Sequence, residues 1–507
     1  MSLSDVVSAA AAVFRRRPSD LLPFYLLGAA IPAIVRIVPF FAGALVYAYL
    51  AATGRLETAL AELDGLEQPM PDPQDAEALE AWLSDLWPVL DAVLTPTTIL
   101  LVLLTILLVV LGFLVLAALV SAGQLAACYG RLRDDRGLVT GIAGLRRHWL
   151  RFLGLFLLEV VCWIGAVLVV AIPTVLVALL ASALEPLLGV LVGLLGALLA
   201  VVAVLAVRAV FAFAPVAVVV DDVSVVDSLS NAIRFVRRRP VEAGFYYVVS
   251  VGSLLAVSAV SGLLLFVDVV MAASLLTTLV LLPALDLLKT ALYGRHRGLP
   301  RPPGPPERSV RSQLRAGLGR GWRAVTAFVR DTPGIHAFVV VVGVASFVGG
   351  WLLVGPYADV LPQASIETRL EGLVPPAAAL EFFGNNWLVA ITTAFAGLAF
   401  VVPALFAVVF NGVAIGVTAR LEAEPLELLA FVLPHGVLEI PAILVSGALG
   451  VWLGVVGWRA VRGRADRNAV ADALERAFWV VVGVGLLLAV AGLIEGFVSP
   501  YYWRPFI

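Results

Sequence analysis

The sequence predicts an all-α polytopic integral membrane protein, a helix bundle of about ten to eleven spans. Of its 507 residues, 61% are hydrophobic and 14% are charged, and the mean hydropathy is +1.02, whereas soluble domains are roughly half apolar and a quarter charged. Apolar runs of about 20 residues, long enough to cross a bilayer as a helix, recur along the chain. They are continuous and rich in Leu, Val and Ala, without the two-residue alternation of a membrane β-barrel.

Residues 1–294 are predicted to form a first membrane domain with six spans, and its charges orient it. The spans lie near 21–51, 97–125, 151–181, 187–219, 243–269 and 272–294. Arginine-rich segments follow the second and fourth spans, while the loop from Thr53 to Thr95 carries many acids and only Arg55. Because positive charge marks the cytoplasmic side, we expect a multi-pass plasma (cytoplasmic) membrane protein with its N-terminus inside and this acidic loop outside.

A basic pattern recurs just before several spans. The segment "AAVFRRRPSDLLPFYLL" (11–27) is echoed by "IRFVRRRPVEAGFYYVV" (233–249), and more loosely at 144–158 and 324–340. We interpret each copy as an amphipathic approach helix whose arginines contact anionic lipid head groups and whose proline opens the turn into the bilayer. Alternatively, any protein with positive cytoplasmic loops repeats such junctions, but the recurrence of RRRP favours duplication of a helix-pair unit. The predicted head-group contacts are Arg15, Arg16, Arg17, Arg237, Arg238 and Arg239.

A proline- and glycine-rich segment at 295–312 divides the chain. Proline and glycine at this density do not sustain a helix or a strand, so we expect an extended linker on the cytoplasmic side. The linker separates the first domain from a second membrane domain at 313–507. Spans are predicted there at 335–356 and 477–498, and the last one leads to an external C-terminus.

The topology between Asn386 and Trp458 requires an odd number of crossings. The apolar stretches in this region are interrupted by "FNG" (410–412) and "LPHG" (433–436). Whole helices leave either an unmatched crossing or several acidic residues at an unfavourable depth. We therefore predict broken or re-entrant helices in the C-terminal half, with the freed backbone at these two motifs lining a polar cavity.

Several polar residues of the second half are candidates for chemistry. His435 and Glu439 are spaced i, i+4 and so face one side of a helix, and ionisable residues inside a membrane are costly enough to be functional candidates. Asn411 and Glu495 are predicted to converge with them on the cavity, and Asn385 is a further binding candidate. Alternatively, His435 and Glu439 pair in a buried polar staple. One histidine and two carboxylates could hold a divalent metal, but the HExxH pair is absent and the chain has only four histidines, so we expect neither a metal nor a cofactor.

Four motifs of the second half carry a family resemblance. They are "EFFGNNW" (381–387), "FNGVAIG" (410–416), "LPHGVLEIPAILVSGALG" (433–450) and "LIEGFVSP" (493–500). With these motifs, residues 313–507 resemble the stage II sporulation protein M family. The resemblance implies a membrane scaffold that localises cell-wall-degrading partners in sporulating bacteria. The first half more weakly resembles the membrane domains found with some glycerophosphodiester phosphodiesterases, although no phosphodiesterase catalytic domain accompanies it.

Three functions are compatible with these features. The first is a non-enzymatic scaffold or membrane-organising component of the envelope, whose partners are membrane lipids and other envelope proteins and not nucleic acid. The second is a transporter or channel for a lipid or a small ion, and the third is an intramembrane hydrolase. A scaffold predicts that the polar residues are sealed and hydrogen-bonded. A transporter predicts a cavity open to one side, and a hydrolase predicts a water or a metal beside Glu439.

Overall fold

The computed structural model describes residues 3–64, 76–266, 269–299, 304, 306–358 and 361–504. Within these residues the chain is helical and has no strand, apart from an isolated bridge between Ala364 and Glu422. The predicted all-α polytopic helix bundle is therefore confirmed. Part of the predicted linker, at 300–303 and 305, lies outside the described residues. The described residues form two compact units, one of 1–31 with 115–507 and one of 32–114.

Among the described residues of the first half, the chain forms thirteen α-helices. Their bounds are α1 Leu3–Arg16, α2 Leu22–Val35, α3 Ile37–Ala52, α4 Arg55–Asp64, α5 Ala76–Val93, α6 Pro96–Leu132, α7 Gly137–Leu184, α8 Pro186–Phe211, α9 Ala214–Asp221, α10 Val225–Arg238, α11 Pro240–Leu265, α12 Met271–Leu276 and α13 Leu282–His296, with one π-helical turn between the last two. Six stretches are long and apolar enough to cross a membrane, and they coincide with the six predicted spans.

Seven α-helices lie in the part of the second half that the structure describes. Their bounds are α14 Val310–Asp331, α15 Pro333–Val354, α16 Ile366–Leu370, α17 Pro375–Ala396, α18 Val402–Leu421, α19 Pro425–Val461 and α20 Arg467–Phe497. Four more candidate spans lie here, which brings the total among the described residues to ten. Several spans begin at a proline, because proline has no N–H to leave unpaired in the first turn and its backbone angle suits a helix.

The unit of 32–114 holds the part of the acidic loop that the structure describes. Its polypeptide forms the antiparallel pair α4 and α5 instead of an irregular loop. Arg55, the one basic residue of the loop, donates to the carbonyl oxygens of Asp91 and Ala92 at 3.4 Å each. Because a guanidinium satisfies carbonyl groups at the end of a helix favourably, Arg55 closes the hairpin where α5 ends.

The basic approach to a span recurs in three of the four predicted places. Helices α1, α10 and α14 each end in or near arginines, and Pro18, Pro240 and Pro333 then begin the next helical turn. The copy at 144–158 differs, because it lies inside the uninterrupted 48-residue helix α7. That copy has no proline, so nothing stops the helix there. The contacts of Arg15–Arg17 and Arg237–Arg239 with lipid head groups remain a prediction.

The breaks predicted at "LPHG" and "FNG" are absent, since α19 runs through Pro434 and α18 runs through Asn411. Proline at 434 deprives the carbonyl of Ala430 of its helical hydrogen bond. The hydroxyl of Tyr502 donates to that carbonyl oxygen at 2.5 Å, so the carbonyl of Ala430 remains hydrogen-bonded and the helix continues through the proline. Gly412 serves close packing, because a Cβ there would lie 2.7 Å from Cβ of Ser346. The prediction of broken helices at these motifs was wrong, and a re-entrant segment is not confirmed.

Three whole helices occupy the region whose crossings had to be odd in number. Helix α17 has 22 residues, about 33 Å at 1.5 Å per residue, which matches a hydrocarbon core of about 30 Å. The turn between α18 and α19 contains Glu422, whose carboxylate accepts from the backbone N–H of Ile366 at 2.8 Å. The acidic residues at this turn therefore lie beside the segment predicted to be external. With α17 added, the ten candidate spans become eleven crossings. An odd number of crossings supports opposite sides of the membrane for the two chain ends, and that orientation remains a prediction.

Candidate functional site

The polar cluster of the second half is built by two helices and the turn that follows the second. His435 lies in the third turn of α19, and Glu439 follows one turn later on the same face. Glu495 lies in the last turn of α20, and Ser499 follows in the terminal turn of 498–504. Both pairs are spaced i, i+4, so each helix presents two polar groups to the other. We call His435, Glu439, Glu495 and Ser499 the polar cluster.

The polar cluster is compact and largely buried. One donor atom each of His435, Glu439 and Glu495 lies within 4.8 Å of the other two. His435 Nδ1 is 3.0 Å from the hydroxyl oxygen of Ser499, and its Nε2 is 3.9 Å from Glu495 Oε1. His435 is 5% exposed, Glu495 9% and Ser499 0%. The first distance is a hydrogen bond, and the second is too long to be one.

The two carboxylates of the polar cluster lack ordinary partners. Oε2 of Glu439 and Oε2 of Glu495 are both buried without a hydrogen bond. Within the part of the chain that the structure describes, neither carboxylate forms an ion pair with an arginine or lysine, and the one ionisable partner of Glu495 is His435. A buried charge without a partner is strongly unfavourable, so this site requires a proton or a cation.

The terminal turn of 498–504 packs against the first part of α19. Tyr502 bonds to the carbonyl of Ala430, as described above, and Trp503 is only 7% exposed. The ring of Phe431 packs edge-on against the imidazole of His435 with 5.2 Å between centroids. The bond from Tyr502 to Ala430 and the bond between Ser499 and His435 hold the turn against the first part of α19. A separate cleft of about 560 Å³ lies at the opposite end of α19 and α20, between Trp452 and Arg476, and no residue of the polar cluster lines it.

Two of the five predicted binding residues do not join the polar cluster. Asn411 donates its amide to the carbonyl oxygen of Ala407 in its own helix at 2.8 Å. Asn385 donates to the side chain of Asn386 at 3.2 Å, on an exposed part of α17. His435, Glu439 and Glu495 do come together as predicted. Sequence reasoning missed Ser499, although its i, i+4 spacing from Glu495 repeats the spacing that identified His435 and Glu439.

A second buried network, in the first half, was also missed. Asp286 accepts a hydrogen bond from the hydroxyl of Tyr25 at 2.8 Å and lies 2.7 Å from the ammonium group of Lys289. Lys289 is the single lysine of the sequence, a signal that could have identified the network. In the same half of the chain, Arg208 lies 3.0 Å from the carboxylate of Glu159.

Comparison with known families separates the two halves of the chain. Residues 337–500 match the family model described as Stage II sporulation protein M. The matched region covers the whole polar cluster, and it confirms the resemblance of the C-terminal half. Residues 136–294 match a model described as a domain of unknown function, DUF7847. No curated protein and no solved structure matches the chain. The similarity of the first half to phosphodiesterase membrane domains has no support from these comparisons.

Proposed function

We propose that this integral membrane protein is a non-enzymatic scaffold of the cell envelope. The observation that carries the proposal is the burial of His435, Glu495 and Ser499 between α19 and the end of α20, with Ser499 bonded to His435. A scaffold was expected to hold these residues sealed and hydrogen-bonded, which His435 and Ser499 meet and the unpartnered Oε2 atoms of Glu439 and Glu495 do not. A transporter was expected to place Asn411 with them in an accessible cavity, but Asn411 bonds within its own helix. The match of residues 337–500 to the stage II sporulation protein M model also supports a scaffold, because the resemblance to that family implies one.

Contacts between the two halves support a fixed platform. Arg136, at the start of α7, lies 2.5 Å from Asp472 and 3.4 Å from Glu475 on α20. Ser19 also donates to Glu475, at 3.1 Å. Elsewhere, the backbone N–H of Met271 donates to Glu381 on α17 at 2.9 Å. Charged and polar contacts of this kind set the register of packed elements even where each adds little energy.

The segment between α15 and α17 offers an ordered surface for a partner. The Ile366 N–H to Glu422 bond holds α16 against the turn before α19, and Ile366, Leu370 and Phe431 form a small apolar core beneath it. Glu367 and Glu371 point into solvent from this supported base. A rigid segment loses less entropy on binding than a mobile one, so we place the partner contact here, on the predicted outer side.

Site-specific photo-crosslinking in native membranes tests the scaffold. A photoreactive amino acid at Glu367 or Glu371 should give a discrete adduct with another envelope protein. The matched control is Leu198 on α8, which is 60% exposed on an apolar helix and should react only with lipid. If positions 367 and 371 give the same adducts as Leu198, the scaffold proposal at this surface is wrong.

A transporter is the second candidate, and the buried unpartnered oxygens of Glu439 and Glu495 favour it. Ionisable groups at membrane depth commonly mark ion pathways. Proteoliposome flux assays with H⁺, Na⁺ and labelled lipid separate the two functions. Flux that Glu439→Gln abolishes and that Glu427→Gln retains would replace the scaffold with a transporter. We expect no flux above that of empty vesicles.

A further inference from the structure

We propose that His435, Glu439 and Glu495 bind one divalent cation of the Zn²⁺ or Mn²⁺ class between α19 and α20. This goes beyond the scaffold proposal and does not depend on it. It also departs from the expectation drawn from the sequence, which placed no metal in this chain. The reason for the change is the convergence of three donor groups that are separated by up to 60 positions along the chain.

The charge balance of the polar cluster requires a cation or protons. Glu439 and Glu495 together carry two negative charges when ionised, and a divalent cation neutralises both. Helix α17 packs against both α19 and α20, and its acid, Glu381, is engaged by the N–H of Met271. Among the described residues, these packed elements bring no lysine or arginine into an ion pair with either carboxylate.

The donor atoms suit a borderline metal. Zn²⁺ binds imidazole nitrogen at about 2.0–2.1 Å and carboxylate oxygen at about 2.0–2.2 Å, and Mn²⁺ accepts the same donors. The Nε2 to Oε1 separation of 3.9 Å is close to that of two donors on one cation, whereas the three donor atoms are up to 4.8 Å apart. Binding one cation therefore requires the widest pair to contract by roughly 1–1.5 Å, which side-chain rotation of the glutamates can supply. The unpartnered Oε2 atoms of both glutamates are further ligand oxygens in the same place.

Ser499 prepares the histidine for this role. Its hydroxyl oxygen lies 3.0 Å from His435 Nδ1, so an N–H at Nδ1 donates to Ser499 and leaves the lone pair of Nε2 facing Glu495. Metal-binding histidines usually have such a partner on the second nitrogen. Glu439 is only partly buried, which leaves an approach for the cation. We therefore assign Ser499 as a positioning residue and the other three as ligands.

A cation here would tie the terminal turn to α19. Glu495 and Ser499 flank the end of α20, while His435 and Glu439 belong to α19. The bound cation would add to the bond between Tyr502 and Ala430. We expect the cation to protect residues 498–504 from amide exchange and proteolysis, and to raise the melting temperature of the whole chain, since a ligand that binds only the folded state stabilises it.

Metal analysis of the full chain tests the site. The protein is purified with an affinity tag that contains no histidine, stripped with EDTA, incubated with Zn²⁺ or Mn²⁺, desalted and measured by inductively coupled plasma mass spectrometry. We expect about one tightly held cation per chain. Glu439→Gln and Glu495→Gln should lose it, and Ser499→Ala should weaken binding by about 10–100-fold. Co²⁺ should give visible ligand-field bands in the unaltered chain and none in Glu495→Gln.

Glu427→Gln is the matched control, because Glu427 lies on the same helix three turns before Glu439 and should leave the metal content unchanged. Folding of each variant is checked by monodisperse elution and by its melting temperature in EDTA. If the unaltered chain holds no cation under these conditions, or if the glutamine variants hold as much as it does, the site is a proton-sharing pair and the proposal is wrong. If the protein holds no metal but still crosslinks to a partner at Glu367, the cation site is wrong and the scaffold proposal stands. If the protein holds the metal but gives no specific crosslink at Glu367, the scaffold proposal is wrong and the cation site stands.

Discussion

Buried carboxylates are neutralised differently in the two halves of this protein. In the first half, Asp286 has Lys289 and Tyr25, and Glu159 has Arg208. In the second half, Glu439 and Glu495 face one another beside a histidine, without an arginine or lysine among their described partners. Both halves place acids in apolar surroundings, where an uncompensated charge is expensive. In the first half, basic side chains of the protein itself neutralise the buried carboxylates. In the second half, the neutralising charge must come from solution as a proton or a cation.

Removing Lys289 should produce the largest effect. Lys289→Met leaves Asp286 buried without its charged partner, and breaking a buried pair costs about 3–5 kcal/mol. The measurement is the free energy of unfolding in mixed detergent micelles. The double variant Asp286→Asn with Lys289→Met should recover much of the loss, because it leaves no isolated charge. If Lys289→Met leaves the free energy of unfolding unchanged, the first half does not depend on the ion pair between Lys289 and Asp286.

Glu495→Gln should increase the stability of the folded protein when the melting temperature is measured in EDTA, the opposite of the effect of Lys289→Met. Without a cation, Glu439 and Glu495 must take up a proton to remain buried together. The amide of glutamine donates to Glu439 without that cost, so we expect a gain of about 1–3 kcal/mol, the cost of an unsatisfied buried group. Melting temperature in detergent is the readout, and Glu427→Gln should remain within about 0.5 kcal/mol of the parent. Saturating Zn²⁺ should reverse the order of Glu495→Gln and the parent. A loss of stability in EDTA would mean that Glu495 already has a compensating partner.

The pair of Glu159 and Arg208 should give a smaller and asymmetric effect. The Arg208 side chain is 58% exposed and that of Glu159 is 8% exposed. Glu159→Gln therefore leaves an arginine that can reach water or head groups, and we expect a loss of about 0.2–1 kcal/mol. Arg208→Gln leaves a buried carboxylate and should cost more. Equal losses in the two unfolding titrations would argue against this difference.

The smallest effect should be a dependence on acid pH at Asp222, just beyond the fourth span. The hydrogen bond from Arg151, at 2.7 Å, and a second one from Arg147 lower the pKa of Asp222 below its usual value. A carboxyl with a lower pKa in the folded state stabilises the fold above its ordinary pKa, and this contribution is lost as the pH falls through the lowered value. Asp222→Asn should remove a small part of the acid-induced drop in melting temperature. An unchanged pH profile would mean that solvent screens the pair completely.

Local sequence patterns predicted most of the secondary structure and part of the polar cluster. Runs of apolar residues located eight of the ten candidate spans, and the i, i+4 spacing correctly placed His435 and Glu439 on one face. The same local reasoning failed at Pro434, where a hydroxyl 72 positions away satisfies the freed carbonyl of Ala430. It failed again at Asn411, which bonds within its own helix. A proline that would break an isolated helix need not break one in which a side chain from a distant segment bonds to the freed carbonyl.

By itself, the sequence determined that the chain enters a membrane, where most of its apolar spans lie, and which ionisable residues have apolar neighbours along the chain. Those properties follow from composition, from the length of apolar runs and from helical periodicity, which all act over short stretches of the chain. Only the tertiary structure decided that Lys289 neutralises Asp286, that Ser499 joins His435, and that Glu439 and Glu495 lie together with no lysine or arginine paired to them among the described residues. Electrostatic compensation depends on distances between helices, and these are set by packing among segments far apart in the chain.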